Sequence, residues 1–289
     1  MRVESIEPHG FCSGVKAALE KALHALASSG PEGVCCLHEL VHNESVVADL
    51  RAKGLRFVAD LAEVPSGSTV LFSAHGVGPA VRRAAAARGL RVVDATCPVV
   101  ARVHRQVRAY AARGLPVVVV GHAEHVEVRG VVGEARDAGA EVAVAKDAAD
   151  VAALPFPADA AIGAVCQTTL SGETVRAVLA ALAARYPRLE TTPAADACTA
   201  TRDRQEAVRA FVAGGGGGVL VLGSASSSNT RRLAETAVAA GARAWRAADA
   251  RELAAIDFSG TEVLGVTSGA STPEDFFRAA LAALARKGA

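Results

Sequence analysis

At 289 residues the chain exceeds one average hydrophobic core, so two or three compact units are expected. It is 51% apolar with a formal charge of +1, and its Lys and Arg form no stripe, which speaks against nucleic acid or an anionic membrane as a partner. A polar start at Met1–Glu7 and the lack of a long apolar run predict neither signal peptide nor membrane span, so the expected location is the cytoplasm.

In that compartment six cysteines read as metal or redox chemistry rather than a disulfide framework. In chain order, one series of elements recurs three times, each time opened by a cysteine. After Cys12, apolar residues at helical spacing predict a helix over Ser13–Ala27 that ends near Gly30. The strand Val34–Leu37 then leads into the loop His38-Glu39-Leu40-Val41-His42-Asn43. A helix about Val46–Lys53 stops at Gly54, and the strand Val70–Phe72 opens the loop Ser73-Ala74-His75-Gly76. A helix near Pro79–Arg88 and a strand at Val92–Val93 enter Asp94-Ala95-Thr96-Cys97.

From Cys97 the order repeats: a helix over Val99–Ala112, a strand at Val117–Val120, and a loop from Gly121 through His125 to Glu127. Another helix and strand lead through Ala160–Val165 to Cys166-Gln167-Thr168-Thr169-Leu170-Ser171. The helix Glu173–Arg185 follows, and Asp196-Ala197-Cys198 echoes Asp94-Ala95-Thr96-Cys97. The last third holds a helix about Arg202–Ala213, a strand at Val219–Leu222 and the loop Gly223–Asn229. A helix over Arg231–Ala240, a strand at Val263–Val266, the loop Thr267–Ser271 and a final helix over Pro273–Arg286 complete it. Gly214–Gly218 is glycine-rich but lacks the Lys and Ser/Thr of a phosphate loop, so it reads as a helix stop and turn.

Alternating strands and helices with β-branched, apolar strands imply parallel sheets covered on both faces. Right-handed crossovers would place the carboxyl ends of the strands, and the loops after them, on one side. The expected fold class is α/β, with three small parallel-sheet units (1–97, 98–197 and 198–289) arranged with pseudo-threefold symmetry. The strand before each cysteine is expected in the sheet of the preceding unit, so that residues 2–7 pack on the third unit.

Such a fold would gather Cys12, Cys97 and Cys198 at one centre. A closed structural site wants a fourth thiolate or imidazole. The repeat supplies three, which points to a metal or an iron–sulfur cluster with one position open, the plain alternative being three thiols that pack as small apolar side chains. His42, His75, His125, Thr168, Ser227, Asn229 and Ser271 occupy matching loop positions and offer hydrogen bonds with little fixed charge, which suits a phosphate or diphosphate. Glu127 stands two residues from His125, where seclusion from solvent would raise its pKa and fit it to deliver protons, or else it is a surface carboxylate. Cys35, Cys36 and Cys166 read as structural, His24 and His104 as incidental helix residues, and His38 and His122 as supports of the site, with His9 undecided.

At these residues the sequence resembles the 4-hydroxy-3-methylbut-2-enyl diphosphate reductases of the non-mevalonate isoprenoid route. The segments that carry the likeness are Gly10-Phe11-Cys12-Ser13-Gly14-Val15, His38 through Asn43, Phe72 through Val77, Asp94 through Pro98, and Gly121 through Glu127. It continues in Gln167 through Ser171, Cys198 with Arg204-Gln205-Glu206-Ala207-Val208, Ser227-Ser228-Asn229, and Gly265 through Ser271. The resemblance implies a clover-like protein of three α/β units around a 4Fe–4S cluster held by Cys12, Cys97 and Cys198. It further implies a diphosphate bound by His42, His75, His125, Ser227, Ser228, Asn229 and Ser271, and protons passed by Glu127 with Thr168 and His125. A ferredoxin or flavodoxin would supply electrons, and a monomer is expected. Val126 replaces a proline common in the family, Cys166 a threonine, and Arg129-Gly130-Val131 a Glu-Gly-Thr run. These departures leave open a paralogue reducing a related allylic substrate, and a non-enzymatic iron–sulfur sensor or electron carrier is the alternative from another class.

Overall fold

The computed structural model describes residues 1–29, 33–191 and 198–288. Gly30, expected to stop the first helix, and Asp196 and Ala197, expected to echo Asp94 and Ala95, lie outside the described residues. The first third runs β1 (Arg2–Ser5), α1 (Ser13–Ala27), β2 (Val34–Leu37), α2 (Glu44–Ala52), β3 (Arg56–Val58), β4 (Thr69–Phe72), α3 (Pro79–Ala87) and β5 (Arg91–Asp94). The second runs α4 (Pro98–Ala111), β6 (Val117–Val120), α5 (Val126–Asp137), β7 (Val142–Ala145), β8 (Ala161–Cys166), α6 (Gly172–Arg185) and β9 (Arg188–Thr191). The last runs α7 (Thr199–Ala213), β10 (Gly218–Leu222), α8 (Ser228–Ala239), β11 (Arg243–Ala247), α9 (Ala250–Ala255), β12 (Val263–Ser268) and α10 (Glu274–Gly288).

Among the described residues these strands form three four-stranded sheets, ordered β3-β2-β4-β5, β7-β6-β8-β9 and β1-β12-β10-β11. Every pairing is parallel. Counted with β1 as its last strand, the third sheet has the same order as the other two. Its register runs from Arg2 opposite Val263 to Ser5 opposite Val266, so the amino-terminal strand belongs to the sheet of the last third. In each sheet the last strand in this count, β5, β9 or β1, is an edge strand, and the chain leaves it toward Cys97, Cys198 or Cys12.

The shared order has a functional consequence. In the first two sheets the connections leave the two central strands in opposite directions, and the crevice beyond the carboxyl ends of such strands is where open α/β sheets bind ligands. The loops beyond the central strands of the three sheets are the ones after β2 and β4, after β6 and β8, and after β10 and β12.

Central strands are buried along their whole length: Val34–Leu37, Val117–Val120 and Gly218–Leu222 have no exposed residue. In the second sheet Val117 and Val119 pack with Val103, Val107 and Tyr110 of α4 and Val128 and Val131 of α5. Val118 and Val120 face the other way, onto Val175, Val178 and Leu182 of α6. The third sheet repeats this, with Val219 and Val221 against Val208 of α7 and Leu233 of α8, and Leu220 and Leu222 against Phe277 and Leu284 of α10. Each such side chain removed from water contributes about 1.5–3 kcal/mol, which explains why these strands read as continuous apolar runs.

By its internal contacts the chain divides into two compact units. One comprises Met1–Val15, His42–Ala48 and Thr199–Ala289 and contains the third sheet; the other comprises Lys16–Val41 and Asp49–Cys198 and contains the first two.

Candidate active site

The three cysteines share a local geometry. Cys12, Cys97 and Cys198 are the residues immediately before α1, α4 and α7. Their backbone amides donate to Ala270 O at 3.1 Å, Ala74 O at 3.0 Å and Thr168 O at 3.0 Å. Each acceptor lies in the loop after β12, β4 or β8, at or next to Ser271, His75 or Thr168. Each thiol thus stands at a helix amino terminus, where backbone N–H groups lack partners within the helix. At Cys12 one of those amides, Val15 N, already points at the sulfur, 3.4 Å away. All six cysteines are unbridged; Cys12, Cys97 and Cys198 are half-buried, whereas Cys35, Cys36 and Cys166 are buried. Burial pushes the Cys35 thiol up and the Cys36 thiol well above the ordinary thiol range, in keeping with structural roles for both.

In the larger unit, His75, His125, Glu127 and Thr168 gather at the loops of the first and second sheets. His75 and His125 meet edge to face with ring centroids 5.9 Å apart, and Ser73 Oγ lies 3.2 Å from His75 Nδ1. His125 caps α5, its Nδ1 accepting from Glu127 N at 3.2 Å. Glu127, expected in a loop, therefore sits in the first turn of that helix. Only 1% of it is exposed. Thr168 N donates to its Oε1 at 2.8 Å and Thr168 Oγ1 to its Oε2 at 3.0 Å. Burial pushes its pKa up to about 7, against the two bonds from Thr168 that favour the carboxylate.

In the smaller unit, Ser271 Oγ donates to His42 O at 3.0 Å. Asn43 Oδ1 caps α2 by accepting from Val46 N at 3.1 Å. Ser227 caps α8, its Oγ accepting from Thr230 N at 3.3 Å. Ser228 and Asn229 consequently form the first turn of α8 instead of extending the loop, and Arg231 Nη2 donates to Ser228 Oγ at 3.3 Å. Asn229 is 5% exposed, and neither Oδ1 nor Nδ2 has a hydrogen-bond partner among the described residues. A buried primary amide left with both ends unmet is costly unless a ligand completes it. Beneath this turn, Gly223 (φ 141°) leaves a gap that a Cβ would close at 2.6 Å from Thr230 Oγ1 and 2.7 Å from Thr272 Oγ1.

The chain matches the family model described as LytB protein over residues 3–285. The chain belongs to the LytB protein family. A relative from Burkholderia pseudomallei (strain 1026b), a 4-hydroxy-3-methylbut-2-enyl diphosphate reductase, is 42% identical over 98% of this chain and 89% of its own length. Its namesake from Chlamydia trachomatis serovar A is 44% identical over 95% of this chain and 88% of its own. The solved E-1-hydroxy-2-methyl-but-2-enyl-4-diphosphate reductase of Plasmodium falciparum superposes with a TM-score of 0.91 at 31% identity, over 98% of this chain and 87% of that one. A second solved structure, of (E)-4-hydroxy-3-methyl-but-2-enyl diphosphate reductase, matches with a TM-score of 0.71 at 30% identity, over 99% of this chain and 100% of that one.

The donor set suits an iron–sulfur cluster: three unbridged, half-buried thiols, each at a helix amino terminus and each in the same bond to a central-strand loop. Among the described residues no three His, Cys, Asp or Glu side chains are grouped as ligands of one metal ion. Thiolates of a cluster each take a different iron and need not be grouped that way.

Some residues play parts that their local sequence did not signal. His104, expected to be incidental, is buried, and its Nδ1 lies 2.8 Å from Glu134 Oε2 while Arg108 holds Oε1. Burial raises the Glu134 pKa, but bonds from His104 and Arg108 outweigh it and hold the carboxyl below its usual range. Asp94 anchors the Cys97 loop: its carboxylate accepts from Thr96 N at 2.9 Å and Arg82 Nη1 at 2.7 Å, and its carbonyl accepts from Lys21 Nζ at 2.7 Å. His122 supports the loop after β6 through its own backbone N, which donates to Gln167 Oε1 at 3.0 Å.

Proposed function

We propose that the chain catalyses the two-electron reductive dehydroxylation of 4-hydroxy-3-methylbut-2-enyl diphosphate to isopentenyl diphosphate and dimethylallyl diphosphate. The observation that carries this reading is 42% identity to a reductase of that name over 98% of the chain. In the balanced reaction the allylic C–O bond breaks, one proton leaves with the hydroxyl as water, a second goes to an allyl carbon, and two electrons enter. Hydroxide is a poor leaving group, so the site must protonate it while holding the diphosphate and excluding bulk water.

Cys12, Cys97 and Cys198 are the proposed ligands of a 4Fe–4S cluster, which when bound supplies electrons and Lewis acidity. Glu127 is the proposed acid. With a pKa raised to about 7 it holds a proton near neutrality. That proton belongs on Oε2, because Oε1 faces Thr168 N, which can only donate, whereas Oε2 faces a hydroxyl that can also accept. Thr168 Oγ1 can then take the proton from Glu127 and release its own, and the cap from His125 to Glu127 N fixes where this pair stands.

His42, His75, His125, Ser227, Ser228, Asn229 and Ser271 are the proposed diphosphate ligands. The unmet amide of Asn229 and the first-turn N–H groups of α8 are what an anion requires there. A bare electron carrier or sensor has no use for that amide. We further propose a ferredoxin or flavodoxin as electron donor, a monomeric state and a cytoplasmic location; no described helix is long and apolar enough to cross a membrane. The test is substrate-dependent reoxidation: dithionite-reduced protein, kept anaerobic, should be reoxidised on adding the hydroxylated diphosphate. A reduced state that persists with substrate present would overturn the assignment.

A further inference from the structure

The loop after β4, which carries His75, is seated on α5 and on one buried ring of α4, all within the larger unit. Gly130 and Gly133 stand three residues apart on one face of α5, and the backbone of the loop lies against them. A Cβ on Gly130 would meet Gly76 O at 3.4 Å, and one on Gly78 would meet Gly133 Cα at 3.3 Å. Gly76 itself turns with φ 76°. A Cβ there would lie 3.2 Å from His104 Nε2, Thr96 Cγ2 and Val100 Cγ1, so the His104 ring fills the space beneath the turn.

That ring is 5% exposed and tied at one edge. Its Nδ1 lies 2.8 Å from Oε2 of Glu134, one turn along α5 from Gly130, and Arg108 holds Oε1. The Glu134 carboxyl, held below its usual range, only accepts, so Nδ1 is the donor. The opposite edge then faces Gly76 and Gly130 through Nε2 and Cε1, and Nε2 has no hydrogen-bond partner among the described residues. A buried nitrogen left unmet costs stability, and an apolar side chain would fill the same space without that cost. What an apolar side chain lacks is the bond to Glu134, which fixes how the ring is turned under Gly76. The helix that supplies Glu134 is capped by His125, the ring that His75 meets edge to face.

We infer that His104, tethered by Glu134, is a positioning residue for His75: it wedges the loop after β4 against α5 and so holds His75 beside His125 for the diphosphate. The inference rests on the reading of His75 as a diphosphate ligand.

The test is a double-mutant cycle on anaerobically prepared protein. It is read as the dissociation constant of inorganic diphosphate by calorimetry, and as KM and kcat for the hydroxylated diphosphate. His104→Asn keeps an amide where Nδ1 stands, so it can still bond Glu134, but it lacks the ring edge that supports Gly76. It should weaken inorganic diphosphate about 10-fold and raise KM by a similar factor, with kcat within about twofold of wild type. His75→Ala should weaken inorganic diphosphate at least as much. Adding His104→Asn to it should then cost nothing further, because His104 acts through His75. Additive losses in the double variant, or wild-type affinity in His104→Asn, would overturn the inference. Should His104→Asn not fold, Glu134→Ala, which frees the ring without removing it, enters the same cycle with the same expected coupling. Unchanged affinity in His75→Ala would instead overturn the reading of His75 as a ligand, and the inference with it.

Discussion

Glu127 is the proposed acid, and its environment makes two quantitative demands. Thr168 satisfies both of its oxygens, yet the carboxyl still titrates near 7 because burial penalises its charge more than those bonds favour it. Glu127→Gln keeps the shape and lets Thr168 Oγ1 accept instead of donate, so the fold should survive while kcat falls by about 10²–10⁴. Near-normal turnover by that variant would remove Glu127 from the mechanism. The same carboxyl also links stability to pH. Its folded pKa of about 7 lies above the ordinary 4.5, so the folded chain binds the extra proton between those values and loses stability as pH rises through them. At 1.36 kcal/mol per unit the full shift amounts to about 3 kcal/mol, and urea unfolding of the apoprotein at pH 5 and pH 8 should show wild type losing about 2.5 kcal/mol of it relative to Glu127→Gln. Asn229 makes the opposite kind of demand, since its amide has no described protein partner to lose. Asn229→Ala should leave the unfolding temperature unchanged or higher, yet weaken substrate binding about 10- to 100-fold, the value of one or two hydrogen bonds to an anion.

At the scale of elements, close packing between strands and helices accounts for several glycines. Gly163 in β8 lies under the ring of Tyr110 from α4, and a Cβ there would sit 2.4 Å from ring carbons. Gly163→Ala should therefore destabilise the larger unit by about 1–3 kcal/mol, read as a lowered unfolding midpoint, without changing the chemistry of the site. The same packing governs how much of the fold was legible in the sequence. Val34–Leu37 and Val117–Val120 announce themselves because both faces of a central strand are buried. Edge strands such as Arg56-Phe57-Val58 and Arg188–Thr191 do not; they are short, half-exposed and charged, and become strands only by pairing with β2 and β8. Helix starts were read late for a related reason. Asn43, His125 and Ser227 are side-chain caps that pull Glu44, Glu127 and Asn229 into first turns where loops were expected. The candidate site residues stand out in the sequence because they recur at matching loops. The Glu134 carboxylate at His104 and the carbonyls held by Arg204 do not, since 30 residues separate the first pair and 194 part Arg204 from Gly10.

For the molecule as a whole, the repeated sheet order explains how three cysteines so far apart in the sequence come to share one local setting. Each follows an edge strand, opens a helix, and bonds through its amide to a loop beyond a central strand. Under the proposed assignment, three equivalent thiols, with Cys35, Cys36 and Cys166 set aside by burial, would leave a 4Fe–4S cluster one coordination position open, which is what a reductase needs and a structural site avoids. The decisive measurement is iron and acid-labile sulfide in anaerobically purified wild type and in Cys12→Ser, Cys97→Ser and Cys198→Ser. Wild type should carry about four of each per chain, and every single variant should lose most of both. Full iron content in any one of the three variants, or a wild type that binds no sulfide when reconstituted, would contradict the account.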